Sequence, residues 1–187
     1  MAERTGFKRV ARRIRVPMGF VVAAVFLVFA RPSAPTLLWS LAAVLPGLWL
    51  RGYSAGYIRK NAEITTSGPY AYTRNPLYLG SLLITLGFGA AAGRWWLCLL
   101  LVALFAAIYI PTILGEETYL REHFAGFEDY AAQVPRLLPR LTPAPGPAGV
   151  GRFSPERYCK HREYNALMGA GAIYLALALR LWWQRTH

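Results

Sequence analysis

Two polar clusters interrupt a chain that is otherwise mostly apolar. Arg74-Asn75-Pro76 opens one tract of leucines and glycines, and Glu116-Glu117 closes another long apolar run. Pro76 favours extended backbone at Asn75 and suits the first turn of a helix. The free amides of that turn, together with the Arg74 guanidinium, would seat a carboxylate or a phosphate. Plain anchoring at the membrane surface is the alternative role for Arg74. Two adjacent carboxylates at the end of an apolar helix lose hydration and repel each other. They call for a cationic partner or ligand, unless both face water in the headgroup layer.

Five apolar tracts must position these groups. They start at Val16, Thr36, Leu77, Trp95 and Ala166, and the second can run on through GYSAGYI. Hydrophobic residues make up 55% of the 187 and charged ones only 16%, whereas a soluble domain needs about a quarter of its residues charged. The expected fold is all-α: an integral membrane bundle of about five transmembrane helices with a cytoplasmic N-terminus and an interfacial amphipathic helix. The net charge of +12 raises the possibility of a nucleic-acid partner, but the distribution of charge argues against it. Most basic residues fall in the N-terminal arm, in the loop with Arg51, Arg59, Lys60 and Arg74, and in the stretch from Arg121 to Arg162. Five crossings put all three on one side, the positive-inside pattern of a multi-pass protein. The basic arm and first apolar run also imitate a secretory signal, but Arg31 and Pro32 follow the candidate cleavage site, so a retained helix is expected. Cys98 and Cys159 fall at different depths, and neither a disulfide nor a metal framework is expected.

Residues 1–187 read as a single membrane domain, with a basic arm over 1–15, a core over 16–140, a Pro/Gly linker over 141–153 and a C-terminal helix over 154–187. Segments 51–76 and 114–165 hold nearly all the polar material for a site. Pro46 should bend the second span. Gly80, Gly87, Gly89 and Gly93 in the third tract allow close approach of either a neighbouring helix or a ligand. Leu120, Phe124, Phe127, Ala131 and Val134 form one apolar stripe at helical spacing, which predicts an amphipathic surface helix with Gly126 as a bend. Ser154-Pro155-Glu156 predicts a helix start that continues into the last span.

The run GPYAYTRNPLYLGSLLITLG resembles the signature of the isoprenylcysteine carboxyl methyltransferase and phospholipid methyltransferase superfamily, through Gly68, Pro69, Tyr70, Arg74, Pro76, Tyr78 and Gly80. Glu116-Glu117, Leu120, Tyr130, Val134-Pro135-Arg136 and Pro139 resemble its second signature, and the likeness covers roughly residues 36–140. Asn75 stands where histidine is common, as in phosphatidylethanolamine N-methyltransferases, and Ala125 splits the family's Phe-Gly pair. The resemblance implies S-adenosylmethionine as methyl donor, held between the two signatures, and a lipophilic acceptor entering from the bilayer: a prenylcysteine-type carboxylate or a phospholipid amine. Tyr70, Arg74, Asn75, Pro76, Tyr78, Gly80, Gly87, Glu116, Glu117 and Tyr119 are the implied cofactor-binding residues. Arg74 and Glu117 are the implied catalytic pair, with Glu117 as base toward an amine. An NADPH-dependent membrane sterol or enone reductase and a non-enzymatic membrane scaffold are the competing readings.

Overall fold

The computed structural model describes residues 19, 21–58, 63–145 and 151–186. The basic arm over 1–15, Arg59 and Lys60 of the second loop, and linker residues 146–150 lie outside them. The described residues form helices and no strands.

Residues 21–29 are helical (α1). Ser33 starts α2, Ala34–Tyr57, through a capping box: its hydroxyl accepts from the Thr36 amide, and its own amide donates to the Thr36 hydroxyl at 2.9 Å. At 24 residues, α2 is about 36 Å long and runs through Pro46 to Tyr57, with Ile58, the end of the extension read from sequence, as its C-cap. Pro76 opens α3, Pro76–Ala91, and a short turn leads into α4, Trp95–His123, which contains Pro111. Then come α5, Phe127–Gln133, α6, Pro155–Lys160, and α7, Tyr164–Thr186. By length and composition α4 and α7 are apolar enough to cross a membrane, and α3 is apolar but shorter.

Their apolar side chains face outward. Trp39 and Trp95 are each 76% exposed, and Leu99, Leu175, Trp182 and Trp183 also protrude. An apolar surface of this kind suits lipid better than water.

Hydrogen bonds gather the helix ends into two sets. At one end the Arg31 amide donates to the Ala92 carbonyl at 2.8 Å, joining the two tight hairpins, and Gly93 adopts φ +65° there. A Cβ on Gly93 would meet the Arg31 carbonyl oxygen at 2.2 Å, so only glycine fits. Arg180 of α7 donates to the Val28 and Ala30 carbonyls, capping the end of α1. At the opposite end Arg51 of α2 binds Glu163, at 2.9 Å for the closest pair, and also reaches the Ser81 hydroxyl of α3. The Ser154 amide donates to the Gly56 carbonyl at 3.0 Å. Nearly all the polar loops belong to this second end.

Two expectations change. The stripe from Leu120 to Val134 is split rather than continuous: α4 carries it to His123, Gly126 turns at φ +85°, and α5 completes it. Phe127 and Val134 are buried against the protein. The helix starting at Ser154 also stops early. Its serine cap is present, but Arg162 takes φ +53° in the turn that follows Lys160, and α7 begins afresh at Tyr164.

α2 and α3 are the most intimate pair. A Cβ on Gly47 would lie 2.7 Å from the Gly80 carbonyl oxygen, and one on Gly80 would lie 2.7 Å from that of Gly47. One Cβ further along, on Gly87, would meet Val44 Cγ2 at 2.3 Å. Small residues thus let the two backbones touch.

Candidate functional site

The first signature begins in a 3-10 turn, Gly68–Ala71, that packs under α2. Gly68 has φ +59°, and a Cβ there would strike the Tyr57 ring. Beyond the turn, residues 71–74 are bonded along their length to the segment 135–144. The Arg74 amide donates to the Pro135 carbonyl, the Arg140 amide to Tyr72, and the Ala144 amide to Ala71, each at 2.9 Å. The buried Thr73 hydroxyl lies 3.0 Å from the Leu137 carbonyl and 3.3 Å from that of Arg136. This segment forms a strap that holds the start of α3 in place, and it reaches into the linker as far as Ala144.

Glu117 is the centre of the polar cluster. It is 4% exposed, and an isolated carboxylate so deep would be costly. Arg74 Nε lies 3.2 Å from Glu117 Oε1. Arg136 approaches the other oxygen, Oε2, with Nη2 at 2.9 Å and Nε at 3.0 Å. Asn75 Nδ2 contacts Oε1 at 3.4 Å while donating to the Arg136 carbonyl at 2.9 Å. The Arg74 contact is an ion pair without hydrogen-bond alignment, and Nε has no hydrogen-bond partner among the described residues. Arg74 Nη1 donates to the Ala131 carbonyl at 2.9 Å. Hydrogen bonding to Glu117 raises the Arg136 pKa further above its ordinary value, so this guanidinium stays charged.

Above the cluster opens a cavity of about 460 Å³, within the roughly 300–1,000 Å³ typical of small-molecule sites. Tyr70, Arg74, Asn75, Pro76, Tyr78, Glu116, Glu117 and Tyr119 all line it. Exposed Glu116 accepts from the Tyr78 hydroxyl at 2.8 Å. Tyr119 stacks on His123, with centroids 4.1 Å apart. Gly80 and Gly87 do not line the cavity; they face α2, so packing, the other role open to them from sequence, is what they perform.

Several lining residues escaped the sequence reading as part of a site: Ile58, Ile64, Leu77, Pro111 and Phe127 add apolar surface to the cavity, and Thr112 also lines it. No pattern marks them, because any apolar residue near a helix end serves equally well. Tyr130 also lines the cavity, and its hydroxyl donates to the Tyr70 carbonyl at 2.8 Å. Burial pushes the Tyr70 and Tyr130 phenols well above their ordinary range; Tyr130 and Glu116 add to the shift at Tyr70, while Arg74 opposes it at Tyr130. Both phenols keep their protons, and Tyr130 is the donor of the two. The Tyr70 hydroxyl has no hydrogen-bond partner among the described residues. Arg136 was visible as part of the second signature, but its ion pair with Glu117 was not. Among the described residues no group of three or more His, Cys, Asp or Glu side chains gathers as a metal site.

Comparisons with known proteins bear on this arrangement. The phospholipid methyltransferase family model matches residues 36–126, from α2 to the turn after α4. The nickel-cobalt-cadmium resistance protein NccN of Alcaligenes xylosoxydans xylosoxydans is 36% identical over 100 residues, 54% of this chain and 46% of that one. The cobalt-zinc-cadmium resistance protein CzcN of Cupriavidus metallidurans is 38% identical over 100 residues, 54% and 45% of the two chains. Protein-S-isoprenylcysteine O-methyltransferase of Schizosaccharomyces pombe is 29% identical over 141 residues, 72% and 59%. The chain thus spans about half the length of the curated relatives it matches. No solved structure matches it. The family match takes in the first signature and the glutamate pair, the two segments that meet across this cavity, and with the Schizosaccharomyces pombe relative it supports a likeness to the isoprenylcysteine carboxyl methyltransferase and phospholipid methyltransferase superfamily.

Proposed function

We propose that the protein is a multi-pass membrane enzyme that transfers a methyl group from S-adenosylmethionine to a lipophilic acceptor. In this reading α1, α2, α3, α4 and α7 are five crossings, and the cavity faces the cytoplasm. The observation that carries it is the convergence of Arg74, Asn75 and Tyr78 from the start of α3 with Glu116, Glu117 and Tyr119 from the end of α4 around one cavity.

The lining suits such a coenzyme. Arg74 provides a cation for its carboxylate, Glu116 an exposed anion for its ammonium or ribose, and Tyr78 and Tyr119 ring faces for adenine or sulfonium. When bound, the coenzyme would supply an electrophilic methyl carbon to the acceptor's lone pair, its sulfur keeping the carbon–sulfur electron pair. The chain's contribution is alignment and exclusion of water. Reactants held about 3 to 3.5 Å apart need little further help when the acceptor is already an anion. An amine acceptor must also lose a proton. Both oxygens of Glu117 are engaged by guanidinium and amide groups, so we assign that step to Glu116, whose Tyr78 contact leaves it open to the cavity. The apolar lining residues Ile58, Ile64, Leu77 and Pro111 support a greasy acceptor.

The test is to incubate membranes containing the protein with methyl-labelled donor, cell lipids and prenylcysteine analogues. Labelled lipophilic product, lost in the Arg74→Ala variant, is the expected result. Mild base then separates an ester, which releases its label, from an N-methyl product, which keeps it. Purified protein that binds NADPH and not S-adenosylhomocysteine would favour a reductase instead.

A further inference from the structure

The polar cluster contains two guanidiniums and one carboxylate, and only one of those cations reaches the cavity. Arg74 lines it; Arg136 does not. Were Arg74 and Glu117 alone, they would form a neutral pair, poorly disposed to hold a further anion. Arg136 changes the balance by taking Oε2 with two nitrogens, at 2.9 and 3.0 Å, while Arg74 touches only Oε1, at 3.2 Å. These three groups together then carry one net positive charge, set against the carboxylates of Glu63 and Glu116 elsewhere on the lining. It is expressed toward the cavity through Arg74, whose side chain is 12% exposed, in surroundings where charges are weakly screened. Arg136 is itself fixed as part of the strap, because its carbonyl accepts from Asn75 Nδ2 at 2.9 Å and lies 3.3 Å from the Thr73 hydroxyl.

We infer that Arg136 is a positioning residue: by neutralising Glu117 from outside the cavity, it leaves the Arg74 charge available to the carboxylate of an amino-acid-bearing ligand. The inference rests on the methyl-donor reading and concerns how that ligand's charged end is held.

The test uses the full chain in nanodiscs, with binding measured by calorimetry for two probes. S-adenosylhomocysteine carries the carboxylate; 5′-methylthioadenosine has the same adenosine and sulfur without the amino-acid end. Arg136→Gln should weaken S-adenosylhomocysteine about tenfold and leave methylthioadenosine nearly unchanged, because only the former meets the altered charge. Arg136→Lys keeps the charge and should retain most of the affinity. Adding Glu117→Gln to Arg136→Gln removes the carboxylate that the lost arginine had neutralised, and should restore much of the binding. Equal losses for the two probes, or no recovery in the double variant, overturn the inference and leave Arg136 a structural brace. A wild-type protein that binds neither probe overturns the methyl-donor reading itself, and this role of Arg136 with it. Thermal melts of each variant identify any that fail to fold, in which case Arg136→Lys against wild type at rising salt decides: matched salt slopes support the charge role, and a lost slope overturns it.

Discussion

Replacing Gly80 with alanine tests whether this glycine belongs to the helix contact or to the ligand site. The added Cβ would lie 2.7 Å from the Gly47 carbonyl oxygen and 2.7 Å from Arg51 Cγ, with the Arg51 amide nitrogen at 3.2 Å. Two of those three atoms are backbone and cannot swing aside, so α2 and α3 must part by several tenths of an ångström. Overpacking of this kind costs about 1–3 kcal/mol, and backbone obstruction places Gly80 near the upper end. Alanine returns about 1 kcal/mol through its better helix propensity. The net expectation is a loss of about 2 kcal/mol. Gly171→Ala in α7 is the control, because nothing lies within 4 Å of a Cβ there, and it should gain up to about 1 kcal/mol. The assay is reversible unfolding in mixed micelles of increasing dodecyl sulfate fraction, followed by circular dichroism, with S-adenosylhomocysteine affinity measured alongside. Gly80→Ala at wild-type stability but with weakened binding would refute the reasoning and return Gly80 to the site.

Thr73→Val removes the hydroxyl that meets the Arg136 and Leu137 carbonyls; a loss of about 1–2 kcal/mol is expected, seen as faster tryptic cleavage at Arg136 and Arg140. Glu163→Gln weakens the link from Arg51 to the start of α7, whose side chains are 23% and 12% exposed. This partial burial points to a loss of about 1–2 kcal/mol, less than for a fully buried pair, with earlier proteolysis between Arg152 and Arg162. The phenols of Tyr70 and Tyr130 are raised above their ordinary 10.0. A raised phenol keeps its proton in the folded chain after the unfolded chain has lost it, so the stabilisation is complete below pH about 10 and is lost as pH rises beyond it. Unfolding measured from pH 8 to 11 should show that decline, and Tyr130→Phe should make it shallower.

What was legible in the sequence was what local chemistry decides. The second, third and fourth apolar tracts became α2, α3 and α4 because an apolar run declares itself without reference to neighbours. Pro76 and Ser154 marked helix starts for similarly local reasons. Gly80 and Gly87 were ambiguous, since a missing side chain serves a neighbouring helix and a ligand equally. Glu117 was read as needing a cation, and it has two, but one of them comes from a strap whose pairing with residues 71–74 consists largely of main-chain bonds. Such bonds leave no compositional trace. The break between α6 and α7 was hidden for another reason: an arginine, Arg162, takes the positive φ that glycine would have advertised.

The contact between Gly47 and Gly80 also bears on how the chamber is framed. With carbonyl oxygens pressed so close to the opposite glycines, α2 and α3 form one closely fitted pair. Gly115 of α4 itself lines the cavity, and a Cβ there would meet open space. A side chain at that position would therefore narrow the chamber, whereas one at Gly80 would force the two helices apart.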